Sequence, residues 1–177
     1  MSWMRKRLNQ EEGFTLIELM VVVLIIAVLV AIAVPSFLGF RNRAQDRSAQ
    51  ADLRNVLLSE KAHWTDNGAY TATEADLKVF EPGIEIGVVA IGTVTSAANA
   101  GEAHVTWTAG ATEDVVCMYE YSDSGNLFAV LDDATATGGT YYAFWDTATA
   151  TAKACPASGA AAGTAGWVTG GWGATTL

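Results

Sequence analysis

A single carboxylate stands inside the most apolar stretch of this 177-residue chain. From Leu19 to Val34 sixteen apolar residues follow one another, and between Phe14 and Val34 only Thr15 and Glu18 interrupt them. As a helix these residues reach roughly 30 Å, the thickness of a bilayer's hydrocarbon core. An ionised carboxylate at such a depth costs about 2.5 kcal/mol or more even on lenient insertion scales. Glu18 must therefore pair with a cation or stay neutral, and an acid kept in such a place marks a functional position.

The other residue types that could do chemistry are not arranged to do it. His63 and His104 are the only histidines; neither has metal-ligand spacing, and both read as surface or packing residues. Serines and aspartates occur without a nucleophile-elbow pattern. Asp123, Asn126, Asp132 and Asp133 could offer oxygens to calcium, but EF-hand spacing is absent and solvated turn acids are the expected reading. The glycines around Gly87 and Gly92 form no phosphate loop. The sequence thus predicts no catalytic residue, no metal and no cofactor. Lys and Arg total 10 against 19 Asp and Glu, a formal net charge of -9. After Arg54 only Lys61, Lys78 and Lys153 are positive. The acidic C-terminal two thirds repels phosphate backbones, so DNA binding is not indicated by charge.

Five segments must position these residues. Residues 1–13 are polar and basic and end Glu11-Glu12-Gly13. Residues 14–40 form the apolar, membrane-spanning half of a long helix, in which Pro35 lacks a backbone donor and Gly39 adds freedom. Residues 41–66 continue that helix in amphipathic form: Leu53, Val56, Leu57, Glu60 and Trp64 recur at helical spacing, while Arg43, Arg47, Gln50 and Arg54 line another face. Asn67-Gly68 ends it. Residues 67–155 hold β-type runs at 84–94, 103–108, 115–121, 127–131 and 141–145, with turn signals at Asp123-Ser124-Gly125-Asn126 and Gly138-Gly139. Residues 156–177 form a Gly/Ala-rich tail, expected to be loosely ordered and anchored by Trp167 and Trp172. The fold class is α+β: one long helix packed on a small antiparallel sheet.

The stretch Gly13-Phe14-Thr15-Leu16-Ile17-Glu18-Leu19-Met20, with a basic leader before it and the apolar run after it, resembles the class III signal of type IV pilins. The likeness covers residues 1 to about 77 and includes Gly68-Ala69-Tyr70-Thr71 and Asp76-Leu77. It implies cleavage after Gly13 by a prepilin peptidase, N-methylation of the new N-terminal Phe14, and assembly through Phe14, Glu18 and the helix-breaking Pro35. A glycine without a side chain lets a protease approach its backbone, which fits that cut. The cut frees an amine on Phe14, one helical turn from Glu18. In a filament, Glu18 of one subunit would attract the Phe14 amine of its neighbour and set axial register.

Orientation follows from the same reading. Arg5, Lys6 and Arg7 hold the N-terminus on the cytoplasmic side, although Arg41 to Arg54 pull the other way. The processing site decides for a cytoplasmic N-terminus, so Cys117 and Cys155 meet an oxidising space where a disulfide persists. That bridge closes a loop of about 38 residues and contributes on the order of 3–4 kcal/mol; the alternative is two unpaired buried thiols. An ordinary signal peptide cut near Ala31-Ile32-Ala33 and a plain single-span anchor are the bland readings of the N-terminus. Glu18 and the helix that follows the run weigh against both.

The resemblance implies a structural subunit, not an enzyme: a single-pass protein of the cytoplasmic membrane before assembly and part of an extracellular pilus afterwards. Its partners would be other pilin subunits as a homopolymer, the prepilin peptidase and the pilus assembly machinery of the inner membrane. Adhesion, motility and DNA uptake are the implied roles. A type II secretion system pseudopilin or a minor pilin shares the same N-terminal signal; a C-terminal cysteine pair leans toward the pilus subunit.

Overall fold

The computed structural model describes residues 13–71, 73–83, 86–88, 103–106, 114–136, 138–145, 155–156 and 167–172. Arg5, Lys6, Arg7 and Glu11-Glu12 lie outside them, as do residues 84–85 and 89–94 of the run expected at 84–94 and most of the tail. Two compact units divide the chain, Met1–Phe40 and Arg41–Leu177.

Helix α1, Leu16–Asn67, contributes to both units. Its assignment continues through Pro35. A proline removes one hydrogen bond, and 52 residues of favourable sequence carry the helix past that loss. At its end Gly68 adopts φ +74°, and its N–H donates to the Trp64 carbonyl at 2.7 Å. This left-handed cap is where L side chains are strained.

In the second unit the buried stripe of α1 is Ala49, Leu53, Val56, Leu57 and Glu60, spaced by three and four residues as one helical face requires. It packs on a five-stranded sheet: β1 (Ile86–Val88), β2 (Ala103–Thr106), β3 (Val115–Tyr121), β4 (Leu127–Asp133) and β5 (Gly139–Trp145), neighbours in chain order. A short α2, Glu74–Leu77, buries Leu77 beneath it. β2 to β5 pair antiparallel as expected, but β1 runs parallel to β2, with Ile86 opposite Ala103. The small antiparallel sheet is therefore a mixed one. Pairing direction has no signature in a three-residue strand; it is set by the connection.

β3 and β4 are buried along their whole length, because both faces of the sheet are covered. Val116, Met118, Phe128 and Val130 join the helix-side core with Leu53 and Val56. The residues that alternate with them face the other way: Cys117, Tyr119, Tyr121, Leu131, Ala143 and Trp145 form a second core with Trp167. Cys117 is bonded there to Cys155. Residues 167–172 are packed rather than loose. Val168 exchanges backbone hydrogen bonds with Tyr142 at 2.8 and 3.0 Å, and Trp172 Nε1 donates to the Ala129 carbonyl at 3.2 Å.

The turns are held by side chains. Asp46 on α1 accepts from the Ser124 hydroxyl and, at 3.1 Å, from Asn126 Nδ2, tying the β3–β4 hairpin to the helix. Asp133 Oδ1 accepts from the Thr135 amide and hydroxyl, and a Cβ on Gly138 would fall 2.2 Å from the Asp133 carbonyl oxygen, so only glycine fits. Asp132 accepts from Tyr70, from Thr140 and from Lys61 at 3.1 Å. Asp132 and Asp133 are thus buried and bonded to protein donors, not solvated turn acids. His63 donates from Nδ1 to the Ala69 carbonyl at 2.8 Å, and His104 stacks on Tyr119; both are packing residues as expected.

Candidate processing and assembly site

The start of α1 is a reciprocal cap. Glu18 Oε2 accepts from the Thr15 backbone N–H at 2.9 Å and from the Thr15 hydroxyl at 2.7 Å. The Thr15 oxygen in turn accepts from the Glu18 N–H at 3.3 Å. Thr15-Leu16-Ile17-Glu18 is thus a capping box, which satisfies two donors that the first helical turn leaves open. The motif was readable in the sequence as Thr-x-x-Glu before an apolar run. Thr15 is the site residue that reasoning from the lone acid alone overlooks, and it explains how a carboxylate is tolerated at this helix end.

Gly13 and Phe14 precede the cap, outside the helix. No atom lies within 4 Å of where a Cβ on Gly13 would stand, and its φ is not in the left-handed region. The fold therefore does not require glycine at this position. From Phe14 to Phe40 every large apolar side chain is between 48% and 89% exposed. A helix apolar on all sides is not a surface helix of a soluble domain; it needs lipid or other helices around it. Thr15 and Glu18 are brought together at one end of this surface, Pro35 lies near the other, and Cys117 and Cys155 belong to the second unit.

The profile for the prokaryotic N-terminal methylation motif matches residues 8–34, the segment that holds Gly13, the cap and the apolar run. Over 70 residues the chain is 39% identical to the type IV wide pilus major component PilA4 of Thermus thermophilus, covering 40% of this chain and 53% of that one. It is 39% identical over 62 residues to the type IV major pilin protein PilA of Myxococcus xanthus, 35% of this chain and 28% of that one. Part of the chain is thus similar to type IV pilins and carries their N-terminal methylation motif. The type II secretion system core protein G of Pseudomonas aeruginosa is also similar, 36% identical over 70 residues, 40% of this chain and 49% of that one. The chain spans about half the length, or less, of the curated relatives it matches. The motif match itself lies at residues 8–34, before the sheet begins.

Two carboxyls in the second unit escape sequence reasoning. Glu60 is fully buried, and its Oε2 accepts from the Thr71 amide at 3.1 Å while Oε1 has no hydrogen-bond partner. Burial pushes its pKa up to about 8, against a smaller opposing effect of the Thr71 amide. Glu120 is 1% exposed, with Oε2 also unpartnered. Burial first, then the charges of Asp52 and Asp123, push it up to about 8. Periodicity places Glu60 on the buried stripe, but a glutamate's chemistry does not reveal whether its carboxyl ends in solvent.

Proposed function

We propose that this chain is the structural subunit of a type IV pilus, cut after Gly13, N-methylated on Phe14 and built into an extracellular filament for adhesion, motility or DNA uptake. The observation that carries this reading is the helix exposed and apolar on every side with one acid at its start. Before assembly the helix lies in the cytoplasmic membrane with the N-terminus inside and the second unit outside. After the cut, subunits pack through residues 14–40. Lipid supplies little hydrophobic drive between helices, so close packing and charge pairing must do so. Both cap bonds use Glu18 Oε2, which leaves Oε1 to accept from the Phe14 amine of a neighbouring copy. Such a charge-assisted bond is strongest where water is absent.

A type II secretion pseudopilin is the second reading, favoured by the similarity to core protein G. The Cys117–Cys155 bridge supports the pilus reading instead. The test is N-terminal sequencing and electron microscopy of material sheared from the cell surface. Filaments whose subunits begin with methylated Phe14 are expected. A native polypeptide that begins at Met1, or that never occurs in a polymer, overturns the proposal. Loss of secretion with intact surface filaments in a deletion strain would favour the pseudopilin.

A further inference from the structure

A cavity of about 370 Å³ in the second unit lies against α1 and the end of β3. Arg41, Gln45, Ser48 and Asp52 line it from the helix, and Glu120, Ser122 and Asp123 from the strand and turn. Glu120 faces the helix because it alternates in step with Val116 and Met118, which pack on α1. Its carboxyl is buried in this wall with one oxygen unpartnered. A buried, unsatisfied carboxylate oxygen beside two further acids costs free energy unless a donor reaches it. Among the described residues no ion pair joins Arg41 to any of the three. A bare metal ion fits poorly: no group of three acids, cysteines or histidines among the described residues stands at ligating spacing. The space instead suits a larger cation with several donors, and a guanidinium offers five in a flat fork.

The same helix carries a complementary group. Positions 43, 47, 50 and 54 lie on the side of α1 opposite to 41, 45, 48 and 52, so their side chains cannot turn into the cavity of their own subunit. Arg54 stacks over the Trp172 ring at 4.9 Å, and Arg43 is already engaged. Arg47 is exposed and makes no ion pair with a described residue. We propose that the cavity at Glu120, Asp52 and Asp123 receives the Arg47 guanidinium of a second copy of this chain. Cavity and arginine sit on different faces of one subunit, so the contact is head-to-tail rather than self-reciprocal. Contacts of that kind propagate into open helical polymers. The inference rests on the filament reading and adds a charged joint between the second units to the apolar packing of the helices.

Charge exchange tests it. In the full-length chain expressed in a piliated host, Arg47→Glu and Asp123→Arg should each lower the yield of sheared filaments by about tenfold or more, as loss of a desolvated charge pair does. The double variant should recover most of the wild-type yield. Both positions are exposed, and thermal unfolding of the detergent-solubilised variants near the wild-type temperature confirms that they fold. Single variants that assemble like wild type, or a double variant no better than the poorer single, overturn the joint while leaving the filament reading intact. A wild-type chain that never polymerises removes both.

Discussion

Glu18 bonds to Thr15 within its own turn, so one carboxylate serves two partners in succession: the helix that contains it and, in the proposed filament, a neighbour's amine. On the proposed function, Glu18→Ala should be processed normally yet give few filaments, since the proposed cut lies at Gly13 and the proposed joint uses the acid. Anti-pilin blots of membrane and sheared fractions separate the two steps, and a normal filament yield would refute the pairing. Glu60 makes a different prediction. Its folded pKa of about 8 lies above the ordinary 4.5, so the folded protein holds the proton more tightly than the unfolded one. Stability from this group is complete below about pH 4.5 and is lost as pH rises through 8. Glu60→Gln keeps an acceptor for the Thr71 amide and cannot ionise. Relative to wild type it should unfold at a higher temperature at pH 9 and flatten the pH dependence, by on the order of a few kcal/mol; a parallel pH profile would count against it. The acid in the apolar run was legible because lipid makes it anomalous. Glu60 and Glu120 were not, because burial of a single carboxyl depends on contacts distant in the chain.

At the scale of elements, hydrophobic period and turn chemistry carried most of the fold. The buried face at Leu53, Val56 and Leu57, the cap at Gly68 and the hairpin at 123–126 stand where spacing and residue type put them. The parallel pairing of β1 was not legible, since its direction is decided outside the strand itself. The anchoring of the tail by Trp167 and Trp172 was legible, but not that the two enter different cores. Leu53 is fully buried between helix and sheet. Leu53→Ala should cost about 2–5 kcal/mol through lost burial and the cavity left behind, read as a lower denaturation midpoint in detergent; a midpoint near wild type would mean that the helix–sheet core contributes little.

For the whole molecule, the two compact units divide the work. One exposes apolar surface from Phe14 to Phe40; the other buries a core on each side of a sheet and closes it with Cys117–Cys155. Cys117→Ser should remove about 3–4 kcal/mol by releasing a loop of 38 residues. The variant should therefore be degraded faster in the envelope, and pulse-chase blotting checks this. Equal lifetimes with and without the bridge would show that the second core suffices.

The backbone exchange between Val168 and Tyr142 has a further consequence. It pairs Tyr142 in the middle of β5, at the margin of the sheet, where bare N–H and C=O groups would otherwise template strand addition from a crowding neighbour. In the proposed filament, where protomers would be concentrated far beyond ordinary solution, this bridge would guard the strand against amyloid-like zippering. Chains shortened to end before Trp167 should clump and bind thioflavin T at concentrations where the intact protein stays dispersed.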